Sequence, residues 1–310
     1  MADVTMLEAA KYSKDDLERV VAKIIVEASP MLELCPMCTI NGPAYRYNQE
    51  RSLGTIAFRG VGGTYTADAG VINPAFEALV IMGGEVKVDN FEVEVMSNLL
   101  NLKADKYRMK ARQAGITFSE AFFEGDTAVD EYSFDGMSKR LVGNQKMYMG
   151  AAATGYTLDL ATVDELLDAV IGENSQKALY MNKTLRRKIT ALVRAQTGSG
   201  LINYTQDAFG RQQTAYAGAP IRIIERQDDG STFLDFDEDP GDAVSDCASI
   251  YCIRFGNELV HGIQHRGLPS VKDFGEVQAG PYHLGRIEWY CGLVVKHPRA
   301  AARLYGITDT

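Results

Sequence analysis

The stretch from Asn41 to Gly84 constrains this chain more than any other. It is extended in character, rich in glycine and free of lysine, yet it carries many large apolar side chains. It reads NGPAYRYNQERSLGTIAFRGVGGTYTADAGVINPAFEALVIMGG. A structureless segment of this length inside a compact domain is unusual. Ile56 and Phe58 alternate with Thr55, Ala57 and Arg59, and Gly62-Gly63 marks a turn. The spacing therefore predicts a long two-stranded excursion. Its apolar residues (Tyr45, Tyr47, Ile56, Phe58, Tyr65, Val71, Ile72 and Phe76) need cover. The simplest cover is another copy of the chain, which makes Tyr45, Tyr47, Ile56, Phe58 and Tyr65 candidate intersubunit contacts. This points to an assembly subunit rather than a self-contained enzyme.

Composition narrows the class. At 46% hydrophobic and 24% charged, the 310 residues can build a sizeable core in one large domain or two. A formal charge of -9 is not what tight, general nucleic-acid binding requires. No stretch is apolar enough to span a bilayer, so no membrane partner is expected. The first residues, MADVTMLEAAKYSKDD, lack the basic and apolar regions of a secretory signal. The five scattered cysteines are not a disulfide framework; they read as reduced thiols of a cytosolic product.

Helical periodicity appears in four places. Ser13-Lys-Asp-Asp16 resembles a capping box, followed by Leu17, Val20, Val21, Ile24, Ile25 and Ala28, with a stop at Ser29-Pro30. A long helix is predicted over Ser97 to Phe123, with Leu100, Ala104, Tyr107, Ala111, Ala114, Phe118 and Ala121 as its apolar stripe and Gly115 as a weak point. Thr162-Val-Asp-Glu165 opens a third helix that ends at Gly172, and Asn182 caps a fourth through about Ala195. Strands are predicted at Lys177 to Met181, Gly218 to Ile224, Ile250 to Phe255 and Leu259 to His265, the last two joined at Gly256-Asn257. Tyr282 to Lys296 is a long strand with Ile287, Trp289, Cys291, Leu293 and Val295 on one face. A short helical tail follows, Arg299 to Tyr305. This order implies an α+β fold rather than regular βαβ alternation.

Chemical motifs are scarce. Cys35-Pro-Met-Cys38 follows a helix and precedes an extended arm, which is not the setting that lowers a thiol pKa. An oligomeric cytosolic enzyme using Cys35 and Cys38 is thus the rival reading from another class, with buried or half-buried reduced thiols as the blander one. Glu258, His261 and His265 lie on a strand, where residues four apart are separated by about 13 Å, too far to share a metal. No phosphate-binding loop, nucleophile elbow or metalloprotease motif occurs. No catalytic residue, cofactor or metal is expected. The acids from Asp228 to Asp246 read as a solvated surface region. Lys103, Lys106 and Lys110 form a stripe on the long helix; they are the candidate DNA-facing residues, against the alternative of a solvated helix face.

Two blocks carry a family resemblance. AYRYNQERSLGTIAFRGVGGTY, preceded by SPMLELCPM, resembles the arm and extended loop of tailed-bacteriophage major capsid proteins. The ending SIYCIRFGNELVHGIQ, with VKDFGEV and PYHLGRIEWYCGLVVKHPRAAARLYGI, is similar to the same family. The likeness runs in order from Thr5 to Ile307 and is weakest from Gly125 to Gln213. It implies the Johnson fold, which the family shares with encapsulin shells. The implied parts are an N-terminal arm and helix (1–39), an extended loop (40–84), a peripheral domain with its spine helix (85–157), an axial domain (158–267) and a return to the peripheral domain (268–310). The implied function is a structural, non-enzymatic subunit of an icosahedral or prolate capsid, assembling through pentamers and hexamers around packaged double-stranded DNA. An encapsulin-like compartment is the alternative. The resemblance also implies a virion location, assembly in the host cytoplasm, and portal and decoration partners. Some relatives weld their loops through a lysine, but none lies between Lys23 and Lys87 here. The arm begins almost at Met1, which favours a separate scaffolding protein over a fused one.

Overall fold

The longest strand organises the fold. The computed structural model describes residues 4–13, 15–52, 54–96, 102–150, 154–195, 202–206, 209–226, 230–241, 246–278 and 280–309. The chain opens with helices α1 (Met6–Tyr12) and α2 (Asp16–Ala28) and a short strand β1 (Met37–Thr39). Strands β2 (Ala44–Ser52), β3 (Val71–Ala78) and β4 (Val80–Asp89) follow, then helices α3 (Asn90–Met96), α4 (Leu102–Glu124) and α5 (Met137–Arg140). The mixed block holds β5 (Lys146–Met147), α6 (Leu160–Ala169), β6 (Lys177–Met181), α7 (Lys183–Ala195), β7 (Ile202–Gln206), β8 (Gln212–Tyr216) and β9 (Ala219–Ile223). It closes with β10 (Cys247–Arg254), β11 (Val260–Gln264), β12 (Ser270–Glu276), β13 (Tyr282–Val295) and β14 (Ala301–Thr308). The α+β expectation holds.

Strand β13 is the axis of a five-stranded sheet. Along one edge it pairs with β4, from Tyr282 opposite Asp89 to Cys291 opposite Val80. Along the other it pairs first with β12 and then with β11, and β1 adds parallel to β11. Its alternation works as expected: Ile287, Trp289, Cys291, Leu293 and Val295 are all buried in the core that α2 and α4 cover. Trp289 stacks 4.9 Å from Phe118, and its indole N–H donates to Gln264 Oε1 at 3.1 Å, which satisfies the one polar group of a buried ring.

Helix α4 crosses α2 at Gly115. A methyl group there would lie 2.7 Å from Ile25 O and 2.8 Å from the Ala28 side chain. The glycine read as a weak point is thus the contact that lets two helix backbones approach. Residues 97–101, and with them the first turn expected for this helix, lie outside the described residues. Helix starts also differ from expectation. Asp15, not Ser13, caps α2 by accepting from Leu17 N at 2.9 Å, and Ser13 instead ends α1, whose own capping box joins Thr5 and Glu8. Asp159 caps α6, and Thr162 donates back to Asp159 O at 2.7 Å. Asn182 does cap α7, accepting from Leu185 N at 2.8 Å.

The second sheet has seven strands in the order β5-β14-β10-β6-β9-β8-β7. Strand β6 is buried at every position, because α6 and α7 cover one face and the Phe122–Phe123 end of α4 the other. Such strands lose the apolar–polar alternation of half-buried ones. Strands β10 and β11 are joined at Gly256-Asn257 as expected, and that join carries the chain from one sheet to the other. The helical tail is corrected. Arg299 to Tyr305 is no helix: after a 3-10 turn at Pro298–Ala300 it becomes β14, with Ala302 opposite Cys252 and Leu304 opposite Ile250. Local helix propensity of an alanine run yields to pairing on an open strand of the core sheet. The acidic run is likewise not merely solvated. Asp228, Asp229 and Asp242 fall outside the described residues, but Glu238 accepts from Arg303 at 2.7 Å and from Ser249.

A test of the helix crossing is Gly115→Val. It should lower unfolding free energy in urea by about 1–3 kcal/mol, the usual cost of forcing extra volume into a packed site. A change below a few tenths would place the helices further apart than described.

Candidate assembly interface

The excursion is a hairpin with two unlike halves. Strands β2 and β3 ladder from Ala44 opposite Ala78 to Ser52 opposite Val71. Beyond them, residues 54–70 are tied by polar contacts alone. Asp68 accepts from the Thr55 hydroxyl at 2.7 Å and from Thr55 N at 3.2 Å. Gly62, at φ +85°, makes the turn in which Gly63 N donates to Gly60 O at 3.1 Å. Arg59 donates to Gly63 O at 3.3 Å and lies over the Tyr65 ring, 5.2 Å from its centre. The apolar side chains of this half have no cover: Ile56 is 98% exposed and Tyr65 66%, with Phe58 and Val61 fully exposed.

At its base the other half is partly covered by the chain itself, on the Tyr45 and Tyr47 side, whereas Phe76 is 76% exposed and Ile72 58%. Tyr47 is only 8% exposed and packs with Ile40, Ile263 and Val294 on the outer face of the β11–β13 sheet. Tyr45 stacks on Tyr47 at 6.1 Å and meets His261 edge-on at 5.8 Å. The expectation that all the loop's aromatics lack cover within their own chain is therefore corrected for Tyr45 and Tyr47. The bare candidates are Ile56, Phe58 and Tyr65. A carboxylate clamp sets the hairpin's angle: Arg140 on α5 grips Glu77 on β3 with both terminal nitrogens, the longer contact being 2.9 Å. The Tyr47 hydroxyl donates to the same carboxylate at 3.5 Å. Nothing in the spacing predicts this partner, but one signal was present. Glu77 is the sole charged residue between Asp68 and Glu85, and a lone carboxylate in an apolar run needs a cation.

His261 sits beneath this base, fully buried, and neither ring nitrogen has a hydrogen-bond partner of ordinary geometry. Burial, and then the Lys296 ammonium, push its pKa from 6.5 down to about 4, against smaller opposing effects of Glu258 and the Gly256 backbone. Lys296 itself pairs with Glu258 at 3.1 Å. His265 approaches Ile40 O at 3.3 Å through Nδ1. Among the described residues no group of three His, Cys, Asp or Glu side chains is placed to hold a metal ion.

The cationic stripe is largely matched by acids. Lys103 pairs with Asp273, Lys106 pairs with Glu92 at 2.9 Å, and Lys110 lies against Gly84. Cys35 is buried, and burial pushes its thiol up to about 12, the opposite of an activated nucleophile. Cys38 is half-buried, with Sγ 3.3 Å from Asn257 Oδ1. Among the described residues no helix is long and apolar enough to cross a membrane.

In sequence, no family model and no curated protein matches the chain. Solved structures do. The SrpI encapsulin of Synechococcus elongatus PCC 7942 superposes with a TM-score of 0.65 at 16% identity, covering 90% of this chain and 88% of its own. The capsid of an empty GTA particle gives 0.63 at 14% identity, over 91% and 90% of the two chains. The Microbacterium phage Oxtober96 structure gives 0.62 at 13% identity, over 90% of each. The fold is thus that of phage-capsid and encapsulin shells, the Johnson fold.

The His261 environment has a pH consequence. The folded value lies below the unfolded one, so the unfolded chain takes the proton first. The stabilisation is complete above about pH 6.5 and is lost as pH falls through about 4, a loss of about 3 kcal/mol at most. Urea titrations of the chain should show that loss between those limits, and His261→Leu should remove it. Equal slopes in both proteins would mean that another group titrates.

Proposed function

We propose that this protein is a shell-forming structural subunit, the major capsid protein of a tailed phage, with no enzymatic activity. One observation carries the reading: an arm on the Johnson fold is rigidly based on its own subunit and apolar at its far end. Residues such as Ile56, Phe58 and Tyr65 then find their cover on an adjacent copy, and repetition around a closed shell multiplies each modest contact. In this reading residues 1–39 are the arm and first helix, 40–84 the extended loop, 85–157 the peripheral domain, and 158–267 the axial domain. The latter gathers the subunits into pentamers and hexamers. Residues 268–310 return to the peripheral domain through β13, with β14 passing back to the seven-stranded sheet. Lys103, Lys106 and Lys110 face packaged DNA only weakly, since two of the three are already paired. A scaffolding protein guides assembly in the host cytoplasm, and a portal and a decoration protein complete the virion.

A protein compartment is the second reading, favoured by the likeness to the SrpI encapsulin. An enzyme built on Cys35 and Cys38 is disfavoured by the buried, raised Cys35 thiol.

The test replaces residues 54–69 with a glycine–serine linker of equal length, leaving the Tyr45 and Tyr47 base intact. The variant should fold with an unchanged circular dichroism spectrum and form no shells by negative-stain microscopy. Normal shells from it would overturn the role of the bare tip. Native particles should contain double-stranded DNA; a protein cargo without DNA would select the compartment.

A further inference from the structure

The arm leaves the body through a short bend, 41–43, that holds a chemically reactive pair. Asn41-Gly42 is the sole asparagine–glycine step in the chain. Both residues are exposed, and Gly42 sits at φ +135°, a conformation that residues with side chains rarely adopt. A Cβ built on Gly42 would meet nothing within 4 Å, so the space beside it is open. Among the described residues, neither the Asn41 side chain nor the Gly42 N–H has a hydrogen-bond partner. Two anchors bracket the bend. Ile40 is buried, and its N–H donates to Gln264 O at 2.8 Å. Pro43 O accepts from Leu79 N at 2.9 Å, where the second strand of the arm runs on into β4.

An asparagine side chain lies one short reach from the backbone nitrogen of the next residue, so a bond between them closes a five-membered ring. Such an intramolecular attack is fast when the reacting groups are held close and free to align. It needs a nitrogen that is not hydrogen-bonded, a backbone that can rotate, and no side chain crowding the ring; glycine supplies the last two. The related step Asp135-Gly136 fails these conditions. Gly136 N donates to Gly125 O at 2.7 Å, and Asp135 accepts from Thr127 N at 3.0 Å and from its hydroxyl at 2.8 Å. A Cβ on Gly136 would lie 2.7 Å from Ala121 O, so that backbone has no room to turn. The fold therefore closes one site and leaves the other open.

We propose that Asn41 is a site of spontaneous self-modification, and that its isoaspartate product loosens the root of the arm. The Gly42 nitrogen bonds to Asn41 Cγ, the Cγ–Nδ2 bond breaks, and the Gly42 proton leaves with Nδ2 as ammonia. The result is a succinimide. Water then opens the ring at either carbonyl and gives aspartate or isoaspartate, with no oxidant or reductant involved. Isoaspartate adds one methylene to the main chain between the Ile40 and Pro43 anchors. The Ile40 anchor is buried, whereas Pro43 is exposed, so the added length is taken up at the Pro43–Leu79 bond. The proposal does not rest on the shell reading, since every group involved lies within one subunit.

Ageing the purified full chain in buffer tests it, with Asn41→Gln as the control, whose longer side chain needs a larger ring. The tryptic peptide Ile24–Arg46 holds Asn41 as its sole asparagine and has no aspartate, so isoaspartate found in it comes from this residue. Its yield is read by mass spectrometry and by enzymatic methylation of isoaspartyl groups. Isoaspartate should form at least about tenfold faster at about pH 8 than at about pH 6, because the attacking nitrogen must shed a proton. It should also outpace isoaspartate at Asp135. Amide hydrogen exchange at Leu79 should be about tenfold faster in the aged chain than in the fresh one, and unchanged in aged Asn41→Gln. Fresh Asn41→Asp carries the added charge without the added methylene, and should protect Leu79 as the fresh parent does. No isoaspartate in the peptide, an equal yield at Asp135, or unchanged Leu79 exchange in the modified chain would each overturn the proposal. So would equal loosening in aged Asn41→Gln or in fresh Asn41→Asp.

Discussion

A two-stranded ribbon alone is barely stable in water. The hairpin β2–β3 stands out from the body because its second strand runs, across Leu79 alone, into β4, and β4 is laddered to β13 from Val80 to Asp89. Leu79 N donates to Pro43 O at 2.9 Å, so the first strand enters against the same point. The arm is therefore an extension of the central sheet, and its direction is inherited from β13. That dependence explains why β13 is packed on both faces at its far end. Leu293 and Val295 face the helices, whereas Val294 faces Ile40 and Tyr47 at the arm's base.

Charge fixes what apolar packing leaves free. Ion pairs join segments remote in sequence: Glu33 with Arg222, which is buried, and Glu77 with Arg140 and Glu238 with Arg303, which are partly buried. Each draws two charges out of water, so none is strong evidence for net stability. Each does penalise a misplaced element, because a shifted strand would leave one buried charge alone. The N-terminal segment is thereby tied to β9, the arm to α5, and the acidic loop before β10 to β14. The same logic separates this clamp at the arm's base from the solvent-facing pairs of Lys103 and Lys106, which specify little.

Much of the fold was legible because its periodicities are local. The alternation from Ile287 to Val295, the Asn182 cap and the stretch from Lys177 to Met181 each state their structure in a few residues. The misses came where tertiary partners decided. Ala301 and Ala302 carry no strand signal until β10 lies beside them. Gly256-Asn257 joins two consecutive strands, and nothing local says that each finds its partners in a different sheet. The arm's bare tip was visible as apolar residues, Ile56 and Phe58 among them, in a glycine-rich run that offers them no cover of its own. Its covered base was not, since Tyr45 and Tyr47 look like Phe58 and Tyr65 until Ile263, Val294 and His261 are brought beneath them.

The division of the arm into an anchored base and a polar-stitched tip has an energetic logic. A floppy apolar loop spends most of its contact energy on being ordered when it docks. Here the Thr55–Asp68 bonds, the Gly60–Gly63 turn and Arg59 over Tyr65 order residues 54–70 without covering Ile56, Phe58 or Val61. The polar contacts use side chains that need no apolar cover, and the apolar ones stay available. On the proposed shell reading, a tip organised in this way converts more of its buried area into contact strength, without a lysine of its own to weld it in place.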